Sequence, residues 1–290
     1  MFISLNPDAV ALGKMDPDLL LSSALACGFE GIDFPVHAVG SVHEARELSR
    51  RAADAGMKWG LFPLPCDFLR VDDDSFRAGM IRLREVLPVV EAAGCSRTYN
   101  HVWPGSDDRD YDRNLAWHIV RLRDLASILN DRGIRLGIEF IGPKTLRDTF
   151  RYPFIRSLEE ALSLIDAVDR DLGLVLDCFH WYTSGGTLRD LESAMAGRPV
   201  VNVHVNDATA GRTRDEQQDL ERRMPLETGL IDATAVLRVL DRLGYDGPVI
   251  AEPFNPHRAR FAGLPPQAVL AEVGSIMKAL FAAAGVRSES

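Results

Sequence analysis

Eight short apolar runs alternate along the chain with longer amphipathic segments, and this alternation constrains the fold more than any other feature. The runs cover residues 2–6, 31–34, 58–63, 97–101, 135–140, 173–177, 200–206 and 249–253. Helical periodicity follows them over roughly 17–27, 42–55, 75–93, 111–132, 158–168, 187–196, 232–243 and 266–284. The pattern therefore predicts eight strands, each followed by a helix.

The runs are apolar with little alternation, as in Leu172-Gly173-Leu174-Val175-Leu176. Such strands are typical of a parallel sheet with helices on its outer face. Glycines such as Gly28, Gly94 and Gly133 mark helix ends. Because no linker or change of composition divides the chain, we predict an α/β fold in which residues 1–290 form a single (β/α)8 TIM barrel. A doubly wound open sheet is the alternative, but no Gly-x-Gly-x-x-Gly follows any run.

Composition excludes some classes of function. The net charge of −9 and the pI of about 5.3 argue against a protein that binds nucleic acid, because such proteins need a basic face. Without a run of about 18 apolar residues or a signal-like start, we expect no membrane association. The four cysteines are widely spaced, which favours reduced thiols in a cytoplasmic protein. These are Cys27, Cys66, Cys95 and Cys178.

Four consecutive strands end with a metal-binding type of side chain: Glu139, Asp177, His204 and Glu252. Singly, each could be a solvated acid, a helix cap or a packed histidine. Together, at one rim of a barrel, three carboxylates would repel each other without a cation. This donor set suits one divalent ion such as Mn²⁺, Mg²⁺, Co²⁺ or Zn²⁺. We therefore predict a metal site, with Glu139 and Glu252 also positioned as catalytic groups.

Further candidates for substrate binding lie close to these strand ends in the sequence. His180 follows Asp177 by three residues, and His101 ends the fourth strand beside Trp103. Lys144 and Arg222 are cations on long connections that could stabilise an oxyanion. The alternatives are hydrogen bonding within a loop for His180, ordinary packing for Trp103, and solvation at the surface for both cations.

Three connections after strands are unusually long: 63–74, 141–157 and 207–231. In a barrel of this type, the connections after the strands build the active site. The last is rich in charged residues, which fits either a lid over the pocket or a solvated mobile loop.

These residues lie in stretches that resemble the xylose isomerase-like barrel superfamily of sugar isomerases and epimerases, and within it the inosose (2-keto-myo-inositol) isomerases. The stretches are Ile138-Glu139-Phe140, Leu176-Asp177-Cys178-Phe179-His180, His204-Val205-Asn206-Asp207, Asp219-Leu220-Glu221-Arg222 and Ile250-Ala251-Glu252-Pro253-Phe254. The resemblance implies that Glu139, Asp177, His204 and Glu252 bind the metal, and that His180 and Arg222 contact the substrate. Relatives have Pro-Gly-x-Gly where this chain has Pro225-Leu226-Glu227-Thr228-Gly229.

The resemblance also implies an isomerase or epimerase of a keto-sugar or keto-inositol, a small-molecule substrate. Glu139 or Glu252 would remove a proton beside the ketone to give an enediolate, and Arg222 would stabilise the developing charge. A lyase, such as an inosose dehydratase or an enzyme that cleaves 3-keto-glycosides, begins with the same step. A barrel that binds a sugar without turnover is the alternative from another class. The oligomeric state stays open, a homo-oligomer included.

Overall fold

The computed structural model describes residues 1–168 and 171–287, and its core is a sheet of eight parallel strands. The strands are β1 (Phe2–Leu5), β2 (Gly31–Ile32), β3 (Lys58–Trp59), β4 (Arg97–Val102), β5 (Arg135–Phe140), β6 (Leu172–Asp177), β7 (Val200–Val205) and β8 (Pro248–Ala251). They pair in the order β3-β2-β1-β8-β7-β6-β5-β4. Between β3 and β4 the Phe62 amide donates to the Arg97 carbonyl at 3.0 Å, which closes the ring. The predicted barrel class is confirmed.

A helix follows each strand, with bounds within two residues of those predicted. The helices are α1 (Pro17–Cys27), α2 (Val42–Asp54), α3 (Asp73–Ala93), α4 (Tyr111–Asn130), α5 (Leu158–Val168), α6 (Leu188–Met195), α7 (Ala233–Arg242) and α8 (Pro266–Ala284). The carboxylates of Asp16, Asp72 and Asp110 cap the amino ends of α1, α3 and α4. Of the predicted domain, residues 169–170 and 288–290 lie outside the described part, and the single-domain bounds 1–290 stay a prediction.

β2 and β3 are shorter than predicted, with two residues each. The reason lies at Asp33, whose Oδ1 accepts a hydrogen bond from the Leu61 amide at 2.9 Å. A side chain thus takes one place in the ladder, which continues irregularly as the Phe34 amide donates to the Leu61 carbonyl at 2.7 Å. The connections also contain elements that we did not predict: short helices at Lys144–Arg147, Cys178–Thr183 and His257–Phe261, and an antiparallel pair formed by Gly105–Ser106 and Tyr152–Pro153.

Helix α8 is long and apolar enough to cross a membrane by length and composition alone. Its apolar side is nevertheless buried within the protein, including Val273, Met277 and Phe281. At Gly274 it approaches α1 so closely that a Cβ would lie 2.5 Å from the Cys27 carbonyl oxygen. A helix that covers the barrel accounts for this composition.

Candidate metal centre

The structure brings the four predicted ligands together at the carboxyl-terminal rim. Glu139, Asp177, His204 and Glu252 come from β5, β6, β7 and the residue after β8, and all four are buried. One ligand atom from each lies within 4.8 Å of the others. Because successive side chains point to opposite faces of a strand, the inward-facing rim positions of neighbouring parallel strands converge. We call these residues the four-residue cluster.

His204 lies among the three carboxylates. Its Nδ1 is 2.8 Å from Glu139 Oε1, 3.6 Å from Glu252 Oε1 and 3.8 Å from Asp177 Oδ2. Burial would lower the pKa of His204, but the attraction of Glu252 and Glu139 raises it to about 10. The field at this point therefore favours a positive charge.

The charges and donors of the cluster fit a divalent cation. With a neutral imidazole, the three carboxylates carry three negative charges, and the Arg222 guanidinium, which also pairs with Asp219, offsets them only in part. The excess of negative charge suits a divalent ion. Oxygen donors with a single imidazole suit Mn²⁺, Mg²⁺, Co²⁺ and Zn²⁺.

The two glutamates of the cluster differ in their proton affinity. Burial opposes ionisation of Glu139, but the attraction of His204 and the hydrogen bond with His101 hold its pKa well below the usual range. For Glu252, burial dominates and raises the pKa to about 7, against the attraction of His204 and Arg222. Without an ion, Glu139 is thus the more strongly held anion, and Glu252 binds a proton more readily.

Arg222 reaches the cluster from the long connection before α7. Its Nη1 donates to Asp177 Oδ2 at 2.8 Å and to Glu252 Oε2 at 2.5 Å. Its Nη2 donates to Asp219 Oδ1 at 2.8 Å and lies 3.0 Å from His180 Nε2. Burial opposes its charge, yet Asp177 and Glu252 raise its pKa. Arg222 is therefore a buried counter-ion of the predicted metal ligands as well as a candidate contact for substrate.

The connection that carries Arg222, residues 206–232, is packed against the barrel rather than solvated throughout. Asp207, buried at its start, accepts hydrogen bonds from the amides of Thr228, Gly229 and Ile231 at 2.7–3.0 Å. Leu226 adopts a left-handed φ of 70° at the position after Pro225. Glycine adopts this conformation more easily than leucine, so the backbone is locally strained here.

The remaining predicted contacts lie at different distances from the cluster. His101 contacts the cluster, because its Nε2 is 3.1 Å from Glu139 Oε2. The carboxylate raises the pKa of His101 against the effect of burial. His180 is buried beneath Arg222, and burial lowers its pKa. A direct contact between His180 and substrate stays a prediction.

Trp103 and Lys144 lie further out. The Trp103 indole donates to Asp67 at 2.8 Å, and the Arg70 guanidinium stacks 3.7 Å from its ring, so that one face is covered. Lys144 pairs with Asp148 at the protein surface, and no contact joins it to the cluster among the described residues. Substrate contacts of Trp103 and Lys144 stay predictions. The covered face of Trp103 and the surface position of Lys144 do not favour them.

Three residues of the site escaped the sequence analysis. Asn206 donates to Asp177 Oδ2 at 3.1 Å, and Asp219 orients Arg222. The ring of Tyr99 packs edge-on against His204, with the centroids 5.6 Å apart. Asn206 and Tyr99 stand two residues from His204 and His101 on the same strands, so the strand period could have indicated both. No comparable signal marks Asp219.

Comparison with protein families and known proteins agrees with this geometry. The family model described as xylose isomerase-like TIM barrel matches residues 21–279. The chain belongs to this family. A xylose isomerase domain protein from Alicyclobacillus acidocaldarius superposes with a TM-score of 0.81 and 26% identity, over 98% of this chain and 99% of the other. The IolI protein with a bound zinc atom superposes with a TM-score of 0.80 over the full length of both chains, and its 18% identity shows the fold alone.

Curated relatives match only part of the chain. The inosose isomerase of Halalkalibacterium halodurans is 34% identical over 140 residues, which are 47% of this chain and 45% of the relative. The inosose isomerase of Bacillus subtilis is 31% identical over 140 residues, with the same coverage. The alignment thus spans about half the length of the curated relatives.

Proposed function

We propose that this chain is a divalent-metal-dependent isomerase or epimerase of a keto-sugar or a keto-inositol, acting in the cytoplasm. The four-residue cluster carries the proposal. It combines buried donor atoms that suit a cation with two glutamates that differ in how readily they bind a proton. The partial likeness to inosose isomerases supports a ketone derived from a polyol as the substrate. Manganese, magnesium, cobalt and zinc all suit the donors.

Glu139, Asp177, His204 and Glu252 would hold the ion. When bound, the ion would polarise the ketone oxygen and so make the neighbouring C–H more acidic. Of the two glutamates, we assign Glu252 as the proton acceptor, because its Oε1 has no hydrogen-bond partner among the described residues, whereas both oxygens of Glu139 lie within 3.1 Å of a histidine nitrogen. Glu139, held ionised by His101 and His204, would mainly fix negative charge opposite the cation.

Proton removal from the carbon next to the ketone yields an enediolate. Arg222 donates two hydrogen bonds to carboxylates at the rim, and its guanidinium would offset charge that develops on a substrate oxygen. Return of the proton to the neighbouring carbon gives an isomerase. Return to the opposite face of the same carbon gives an epimerase.

Solvent exchange tests this proposal. Metal-loaded protein is incubated in D2O with a panel of inososes, ketohexoses and 3-keto-glycosides, and proton NMR follows each carbon. We expect deuterium at the carbon beside the ketone of one substrate class. Product without solvent deuterium would rule out the enediolate route, whereas loss of water or of an aglycone would indicate a lyase. Absence of both turnover and exchange across the panel would contradict the proposal.

Glu252→Gln should reduce exchange by roughly 10²–10⁴-fold, the usual contribution of general acid–base catalysis. Glu139→Gln should reduce exchange through weaker binding of the ion. Metal content is measured for each variant, so that loss of the ion is separated from loss of the base. Glu85→Gln, at an exposed position of α3, is the matched control and should retain full exchange. Full activity in Glu252→Gln would remove that residue from the base role.

A further inference from the structure

A cavity lies beside the four-residue cluster, above the ends of β1, β2 and β3. We call it the β1–β3 pocket, and its volume is about 180 Å³. At about 30 Å³ per water molecule in the liquid, this is room for roughly six waters, or for part of a small polyol. The described residues that line it include Asp8, Asp33, Leu61 and Tyr99.

Tyr99 connects the pocket with the cluster. It lines the pocket, and its ring packs against His204 and His101 with centroid distances of 5.6 and 5.2 Å. Tyr99 therefore lies between the cluster and the pocket and contacts both. No hydrogen bond of the Tyr99 hydroxyl occurs within the described part of the chain.

Asp33 is the polar group built into the wall of this pocket. Its Oδ1 is committed to the Leu61 amide, whereas Oδ2 has no hydrogen-bond partner among residues 1–168 and 171–287. Glycine at position 60 makes room for this carboxylate, because a Cβ there would lie 2.5 Å from Oδ1. One oxygen is thus fixed by the backbone and the other can accept a hydrogen bond from a ligand.

The charge of the pocket limits what it can accept. Asp8 and Asp33 bring two carboxylates, and its described lining contains no lysine or arginine, with the exposed His37 as its basic side chain. A phosphate or carboxylate group would meet two like charges and no permanent cation, which is a strong means of rejection. Neutral hydroxyl groups would instead donate to Asp33.

We propose that the β1–β3 pocket holds the end of the substrate remote from the ketone, that Asp33 accepts hydrogen bonds from its hydroxyl groups, and that the pocket selects neutral polyols against phosphorylated or carboxylated ones. This inference rests on the proposed function for the position of the ketone. It adds Asp33 as a substrate-binding residue that determines specificity.

Calorimetric binding tests the inference without turnover. The probes are myo-inositol, which has no ketone, and myo-inositol 1-phosphate, titrated into metal-loaded protein at pH 8, above the pKa of about 7 of Asp33. We expect the phosphate ester to bind at least about 30-fold more weakly than the neutral polyol. Asp33→Asn keeps an acceptor for the Leu61 amide but removes the charge. It should weaken the binding of myo-inositol by roughly tenfold, the usual loss for a hydrogen bond to a charged group. It should also reduce the ratio of the affinities for the neutral and the phosphorylated probe.

Asp241→Asn, which removes one exposed negative charge on α7, is the matched control and should leave both affinities unchanged. Asp8→Asn removes the other carboxylate and, among the described residues, alters no side-chain hydrogen bond to the backbone. It should reduce the ratio of the two affinities by a smaller factor than Asp33→Asn, and it provides a test if Asp33→Asn folds poorly. Equal binding of both probes by the unaltered protein would overturn the inference. Unchanged affinities in a folded Asp33→Asn variant would do the same.

The outcome is separable from that of the proposed function. If solvent exchange occurs but Asp33→Asn changes neither affinity nor charge preference, the inference fails while the function stands. If no ketone exchanges but the probes still depend on Asp33, the function fails while the polyol pocket stands.

Discussion

Two regions of the same rim surround their carboxylates differently. In the four-residue cluster, burial raises the pKa values, but Arg222 lowers that of Asp177 and His204 with His101 lowers that of Glu139, while the pKa of Glu252 is still raised to about 7. In the β1–β3 pocket, burial raises the pKa of Asp33 to about 7, against the Leu61 amide and the charge of His204. Asp177 and Glu139 are thus held ionised by cations in contact with them, whereas no cationic side chain of the described residues contacts Asp33.

The difference follows from the strands. β4 to β7 have six residues each, and their carboxyl ends, with the residue after β8, hold charged groups close together. β2 and β3 have two residues each and pair irregularly beyond Asp33, beside a cavity whose described lining holds no lysine or arginine. One half of the rim is built to hold charge, and the other to admit a neutral molecule.

Asp177→Asn should have the largest effect, because it removes a negative ligand from the charged half. The asparagine oxygen can still cap the helix Cys178–Thr183, as Asp177 Oδ1 now does by accepting from the His180 amide. We expect metal affinity to fall by at least about 100-fold, more than is usual for a residue that only supports a ligand. Metal content after dialysis, measured by mass spectrometry, checks this.

The matched control is Asp232→Asn, which alters a helix-capping aspartate at the start of α7, away from the cluster. It should retain the metal. Stoichiometric metal in Asp177→Asn would show that Asp177 is not a ligand, and the contrast between the two halves of the rim would lose its basis.

Arg222→Met should have the next largest effect, because it leaves Asp177 and Glu252 without their buried counter-ion. Removing one partner of a buried ion pair costs about 3–5 kcal/mol. Arg223→Met is the matched control: the side chain of Arg223 is only partly buried, and its change should stay within about 0.5 kcal/mol. Urea unfolding of chelator-treated protein measures both. Equal effects of the two variants would contradict the assignment of Arg222 as the counter-ion.

The sequence predicted the charged half well because its signal is local. Each predicted metal ligand ends an apolar strand, and parallel strands of a barrel must bring these ends together. Asp33 carries the same signal, after Gly31-Ile32, but it has no histidine or glutamate on a neighbouring strand with which to form a ligand set. Asp33 was therefore not recognised as a site residue from the sequence. The same lack of neighbouring ligand-type residues makes its environment in the structure different from that of the cluster.

The path of residues 206–232 could not be predicted in this way. Arg222 reaches the cluster because Asp207 binds amides more than twenty residues further along the chain, and such pairings leave no periodic pattern. For the same reason Arg222 and Lys144 looked alike in sequence, as cations on long connections. Only the folded chain distinguishes a buried arginine from a surface lysine.

Asp33 should make stability depend on pH in a direction opposite to that of Asp177. A carboxyl whose pKa is raised from 3.8 to about 7 in the folded state favours folding fully below pH 3.8, and this contribution is lost as the pH rises through 7. The loss is at most about 4 kcal/mol. Asp33→Asn should therefore gain stability over the unaltered protein between pH 4.5 and pH 8, as measured by urea unfolding. A constant difference across this range would contradict the raised pKa.

Lys144→Met should have the smallest effect, and it asks whether the charged half depends on direct contact or on positive charge in general. Lys144 lies on the connection after β5 but pairs with Asp148 at the surface, where an ion pair contributes about 0–1 kcal/mol. We expect stability to change by less than about 1 kcal/mol and solvent exchange of a ketone substrate by less than about twofold. A tenfold loss of exchange with unchanged stability would instead place Lys144 in contact with substrate. The charged half would then extend beyond the four-residue cluster to the connection that follows β5.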